Sequence, residues 1–283
     1  MQSSQDSDGA LEVMSSAESM AAVLGRAEIN QQIATAKAYP RSLKRFIAEA
    51  RELATLTDDV AEECMYALPR GGKTIEGPSA RFSEIIAHAW GNCRAGGRVM
   101  SEDAEFVTAQ GVFHDLEKNV AITFEVKRRI TDRRGKRYDS DMIAVTGNAA
   151  SAIALRNAVL KGVPKALWRP IYEEARRCAI GDQHTLAARR EGAFAYFAKM
   201  GVSQERILAV LGVEGIEDVG LDELAKLTGI KTALKDGDTT IDQAFADPAP
   251  AVEVAKVQRT ARPSETAHQG KASTLTRQPG EEG

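Results

Sequence analysis

The sequence predicts an α+β fold, an antiparallel β-meander packed on helices, followed by a small helical module and a disordered tail. Between Cys93 and Ile130 the segments CRAGGRVMS, AEFVTAQGVFHD and VAITFEVKRRI alternate with a period of two, separated by EDA and the turn-like LEKN. On both sides of this stretch apolar residues recur at three and four, the period of a helix face. An order of helix, sheet and then helices calls for an antiparallel sheet covered on one face only.

Residues 1–38 are rich in Ser, Ala, Gln and Glu without a strong apolar period, so a flexible arm with one weak helix over 16–37 is expected. RSLKRFIAEARELA then sets Leu43, Phe46, Ile47, Ala50 and Leu53 on one face of an amphipathic helix. CMYALPR reads as a short strand stopped by Pro69 and the glycine pair. Ser79 is the N-cap of a helix whose inner face is Phe82, Ile85, Ile86 and Ala89. After the meander, RRGK makes a Gly-centred hairpin tip or loop. Helices follow from Asp141 to the stop at GVP, over KALWRPIYEEARRCAIG and over TLAARREGAFAYFAKMG. Residues 39–200 are thus the expected core. Residues 201–247 hold short helices punctuated by Gly and capped by Ser203, Asp222 and Thr240, read as a small separate module. The segment 248–283, poor in large apolar residues, is expected to be a disordered tail.

Composition narrows the function. The three cysteines never form a C-x-x-C pair and the four histidines are not at ligand spacing, so reduced thiols are expected, without a disulfide framework or a zinc site. Apolar runs break at Arg or Lys before the ~20 residues of a spanning helix. The N-terminus lacks the pattern of a secretory signal, and a cytoplasmic protein is expected. No GxxxxGK[ST] occurs, and GGKT at 71–74 lacks the first glycine and a preceding buried strand, so ATP hydrolysis is not supported.

The net charge of −3 conceals a dipolar chain. Residues 201–247 carry ten acidic and four basic residues, whereas 66–178 carry nineteen basic and thirteen acidic ones. The positive charge peaks in KRRITDRRGKRY, where Lys127, Arg128, Arg129, Arg133, Arg134, Lys136 and Arg137 stand against Asp132. Such a run is either a solvated loop or a grip on a phosphate backbone, where neutralised phosphates release counterions. Arg70 and Lys73 flank the glycine pair, and Ser79 with Arg81 opens a helix whose free N–H groups suit an anion. Arg156, Lys161, Lys165 and Arg169 border an apolar helix and the next one; an Arg there is either paired with a carboxylate or functional. Trp90 and Trp168 read as core anchors, leaving Tyr138 as the residue placed to stack on a base. A second chemistry is a Mg²⁺-dependent nuclease with Asp115, Glu125 and Lys127 in a D…E-x-K arrangement. A third reading is a protein-binding adaptor whose basic hairpin meets an acidic partner.

Taken together, GPSARFSEIIAHAWGNCRAGGRVM, FVTAQGVFHDLEKNVAITFEVKRRI and NAASAIALRNAVLKGVPK resemble bacteriophage single-strand annealing recombinases, the RecT/Redβ and ERF-like group. GVSQERILAVLGVEGIEDVGLDELAKLTGIKTALKDG is similar to the helical C-terminal module of such proteins. The resemblance implies ATP-independent binding of ssDNA and annealing of complementary strands in phage recombination or DNA repair, by a ring or helical homo-oligomer with no cofactor required. It also implies a duplex intermediate, and contacts through 201–283 with a host single-strand-binding protein or a phage exonuclease. Carried onto this chain, the DNA groove would use Arg70, Lys73 and Arg81, the basic stretch 127–137 with Tyr138, and Arg156 with Lys161, with no catalytic residue and no membrane contact.

Overall fold

In the computed structural model residues 5–70, 73–132 and 134–245 are described, with side chains excepted at 5–19, 21 and 70. The expected tail 248–283 lies outside them. The fold is α+β, as predicted.

The first helix, α1 (Gln5–Ala38), begins before the expected position 16. Of its described side chains Ala36 is buried and Gln32 and Ile33 are half-buried, all near its end, while Met20, Val23 and Leu24 are exposed. Helix α2 (Leu43–Ala54) starts at Ser42, whose Oγ accepts the Arg45 N–H, and buries Phe46, Ala50 and Ala54. Leu43, expected on that face, is exposed. A short α3 (Asp58–Glu63) leads to β1 (Met65–Arg70), which pairs with β2 (Lys73–Pro78) in an antiparallel hairpin from Met65↔Pro78 to Arg70↔Lys73. Strand β2 carries no period-two signal because its large apolar residue, Ile75, faces solvent.

Helix α4 (Ala80–Trp90) is capped by Ser79 as expected: Ser79 Oγ accepts the Phe82 N–H at 3.2 Å. The meander follows as β3 (Cys93–Glu102), β4 (Phe106–Asp115) and β5 (Val120–Arg129), in that spatial order and antiparallel throughout. One face is covered by α5 (Ser140–Gly162), whose small residues Gly147, Ala150, Ala154 and Ala158 let the helix lie close to the sheet. A Cβ at Gly111 of β4 would lie 2.1 Å from the Ala154 carbonyl oxygen, so this approach requires glycine. By length and composition α5 is a helix that could cross a bilayer, yet here its small-residue face packs on the sheet. Together with α2, α4 and α6 (Lys165–Ile180) it closes a core of Phe46, Phe82, Ile86, Trp90, Phe113 and Trp168. Both tryptophans are buried, in edge-to-face contact with Phe46 and Phe82 respectively.

Helices α7 (Leu186–Lys199), α8 (Gln204–Leu211), α9 (Leu221–Lys235) and α10 (Ile241–Ala244) build a second core around Phe197, Leu227, Ile230 and Phe245. Asp222 lies in the first turn of α9 rather than at its cap, which is Gly220; the Glu223 carboxylate accepts the Gly220 N–H. The acidic segment does not stand apart from the rest. Ala67 of β1 belongs to its core, and a Cβ at Gly229 of α9 would lie 2.5 Å from the Ala67 nitrogen. Residues 5–245 fall within one compact unit.

The cysteines are unpaired. Burial pushes the Cys64 thiol up to about 12, and Cys93 and Cys178 are half-buried.

Candidate nucleic-acid interface

Strand register sorts the basic residues by face. Directly opposed residues share a face, and successive residues alternate. On β4, Val107, Ala109, Gly111, Phe113 and Asp115 are buried and face α5. The uncovered face therefore carries Arg94 opposite His114, Arg98 opposite Gln110, Lys127 opposite Thr108, and Arg129 opposite Phe106. All four cations are exposed, and among the outward strand residues Glu125 is the acid. Arg98 donates to Gln110 Oε1 at 3.3 Å, and Arg129 pairs with Glu105 while its guanidinium lies 4.7 Å from the Phe106 ring centroid. Arg94 lies 3.8 Å from Glu28 of α1. Arg94 and Arg98 are site candidates that the charge run in the sequence does not include, although a spacing of four in a strand already sets them on one face.

The hairpin beyond β5 is organised by Asp132. Its Oδ1 accepts the N–H groups of Arg134 and Lys136 at 2.8 and 2.9 Å, and Gly135 adopts φ +81°. Arg134 and Lys136 are exposed at this tip. Arg133 lies outside the described residues. Arg137 is committed elsewhere: it is ion-paired with Glu102 and donates to the carbonyls of Asp103 and Ala104, fastening the hairpin to the β3–β4 turn. Tyr138, expected to stack on a base, packs instead against the cluster of Val107, Ala109, Ile130, Ala150 and Ala154.

The remaining expected residues lie elsewhere. Arg128, on the α5 side of β5, donates to Asp238 Oδ1 at 2.9 Å and to the Asp238 carbonyl at 2.6 Å. Arg156 of α5 lies over the Tyr66 ring at 4.9 Å and donates to Asn157. Lys161 is exposed, with its Nζ 5.1 Å from the centroid of the Phe124 ring. Lys73 is exposed at the start of β2, and the side chain of Arg70 lies outside the described ones. Arg81 pairs with Glu84 at 2.9 Å on the surface of α4. The α4 N-terminus is not an open anion site, because Ser79 is buried and its hydroxyl joins the Glu63 carbonyl to the Phe82 N–H.

The nuclease arrangement does not assemble. Glu125 is opposite Gln110, five residues along β4 from Asp115, and an odd separation puts the two carboxylates on opposite faces. Asp115 is held from all sides: it takes two hydrogen bonds from Arg41, one from the Trp90 indole, and N–H bonds from Glu117 and Lys118. Among the described residues no group of three or more His, Cys, Asp or Glu is placed to hold a metal ion.

Comparison of the chain with family models, with curated proteins and with solved structures finds no match in any of the three.

Proposed function

We propose that the chain is an ATP-independent ssDNA-binding protein that anneals complementary strands and works as a homo-oligomer in phage recombination or repair. The observation that carries this reading is the uncovered sheet face, where Arg94, Arg98, Lys127 and Arg129 stand with Glu125 as the acid among the outward strand residues. An antiparallel sheet with one bare face is ordinary, but such a concentration of cations on it suits a polyanion. The chemistry also favours a backbone grip. Phe106 lies under the Arg129 guanidinium, and His114 carries the other aromatic ring among the outward strand residues, so the face offers few platforms on which to stack bases. Annealing needs that arrangement, since phosphate contacts leave base edges free for the incoming strand.

The test uses labelled complementary oligonucleotides, with and without Mg²⁺ and ATP. Faster duplex formation in the absence of both is the expected result. Shortened strands would point to a nuclease, and the absence of both effects to a protein-binding adaptor. Replacing Arg94, Arg98, Lys127 and Arg129 together by Ala should weaken ssDNA binding and flatten its logarithmic salt slope by about three, at ~0.7 for each phosphate no longer neutralised. An unchanged slope would remove this face from the site.

A further inference from the structure

Arg128 is bound within the chain in a way that resembles how an arginine holds a phosphate. Its guanidinium fork meets two oxygens, the Asp238 carboxylate at 2.9 Å and the Asp238 carbonyl at 2.6 Å. A phosphodiester offers the same pair of acceptors through its two non-bridging oxygens. Asp238 ends the turn Asp236–Asp238 between α9 and α10, which sets two of the ten acidic residues of 201–247 beside arginines of the basic core. The charges of Arg128 and Arg156 both act on Asp238, and that of Arg81 acts on Asp236. These arginines come from β5, α5 and α4, elements far apart in sequence.

The pair is also unequal. The Asp238 side chain is 6% exposed, but that of Arg128 is 25% exposed and lies at the rim. The turn is anchored on its own by the Asp238 N–H bond to the Ala233 carbonyl and by Phe245 in the second core. Arg128 can therefore pass from carboxylate to phosphate by a side-chain movement, with the turn left in place.

We infer that the Asp236–Asp238 turn is an internal competitor of nucleic-acid phosphate, which occupies Arg128 beside Arg156 and restrains strand binding until a phosphate displaces it. This rests on the ssDNA reading above and adds its regulation. Arg128 lies on the opposite side of β5 from the outward cations Lys127 and Arg129, so a strand held on that face would meet it at the rim of the sheet.

The experiment measures fluorescence anisotropy of a labelled oligothymidine with the full chain, across a range of salt. Asp238→Asn should bind about tenfold tighter, the scale of one charge-assisted hydrogen bond released to a phosphate. Its logarithmic salt slope should steepen by about 0.7. Adding Arg128→Ala to Asp238→Asn should return the affinity to the wild-type level. Circular dichroism checks folding; should Asp238→Asn unfold, Asp236→Asn, which leaves the Arg128 bonds intact, should give a smaller gain in the same direction. Wild-type binding with no gain in the folded aspartate variants overturns the competitor while leaving the ssDNA reading intact. No binding by any of these proteins, even at low salt, overturns the ssDNA reading itself.

Discussion

Two buried aspartates, Asp115 and Asp238, each lie against an arginine, and the protein holds them differently. Asp115 takes five hydrogen bonds through its two carboxylate oxygens, two from Arg41 and one each from Trp90, Glu117 and Lys118. Burial alone would raise its pKa, but the Arg41 hydrogen bonds, the Lys118 N–H and the Trp90 indole together hold it below the usual carboxylate range. Asp238 has Arg128 on one oxygen, and burial outweighs the pull of Arg128 and Arg156, pushing it up to about 6. A buried ion pair becomes a permanent fastening only when its remaining lone pairs are also satisfied. The first pair joins the start of α2 to the end of β4 and the last turn of α4 in that way. The second has a single side-chain donor on its carboxylate, that of Arg128, which suits a contact that can be exchanged.

The sharpest way to break this comparison is to remove one partner from each pair. Arg41 also donates to the carbonyls of Trp90 and Gly91, and its guanidinium lies 3.9 Å from the centroid of the Trp90 ring. Arg41→Ala should therefore cost about 3–5 kcal/mol in urea unfolding, the range for stranding a buried charge. Arg128→Ala should cost clearly less, since Asp238 can take up a proton near neutral pH. Equal losses would mean that the two pairs are fastenings of one kind.

Acidity should separate the pairs next. Asp115, with its pKa depressed on folding, contributes stability above the ordinary carboxylate range that is lost as pH falls through and below it. Asp238 has the opposite sign: its raised pKa favours the neutral form in the fold, a contribution fully present below the unfolded value and lost as pH rises to about 6 and beyond. The groups around it are Arg128 of β5, Arg156 of α5, Tyr66 of β1 and Asp236 of its own turn. Comparing urea midpoints at several pH values, wild type should lose ground to Asp238→Asn between about pH 4 and 6, the interval set by that shift. A constant difference across the interval would remove the asymmetry.

The two pairs differ as well in how far the sequence announces them. The meander, the Ser79 cap and the amphipathic faces of α2 and α4 are legible because local period and capping chemistry set them. Alternation carried on into the opening KRR also separates Lys127 and Arg129 from Arg128, since β5 runs on to Arg129. What that stretch does not contain is the partner: Asp238 is 110 residues beyond Arg128, and Glu102 is 35 residues before Arg137. Strand β2 is silent for a different reason, its exposed Ile75 leaving no apolar alternation to read. Tyr138 is harder to read because its charged neighbours suggest a surface, whereas the hairpin sets it half-buried against the cluster that holds Ile130.

The smallest effect concerns a third aspartate, Asp132, which works without a carboxylate–arginine ion pair among the described residues. Among the described residues its carboxylate takes backbone N–H bonds, from Arg134 and Lys136, and so shapes the hairpin tip while leaving those two side chains in solvent. Asp132→Ala should cost about 1 kcal/mol, the scale of a partly exposed hydrogen-bond pair. Replacing Arg134 and Lys136 by Ala keeps those backbone bonds and should change stability by no more than ~0.5 kcal/mol. If the tip touches phosphate, the same replacement flattens the ssDNA salt slope by about 1.4, two phosphates at ~0.7 each. Stability and binding thus come apart at this aspartate: its carboxylate holds the backbone, and the cations it positions are free to act on a ligand. A stability loss in the Arg134 and Lys136 variant as large as in Asp132→Ala would show that the tip depends on its side chains, and the contrast with Arg128 and Arg137 would disappear.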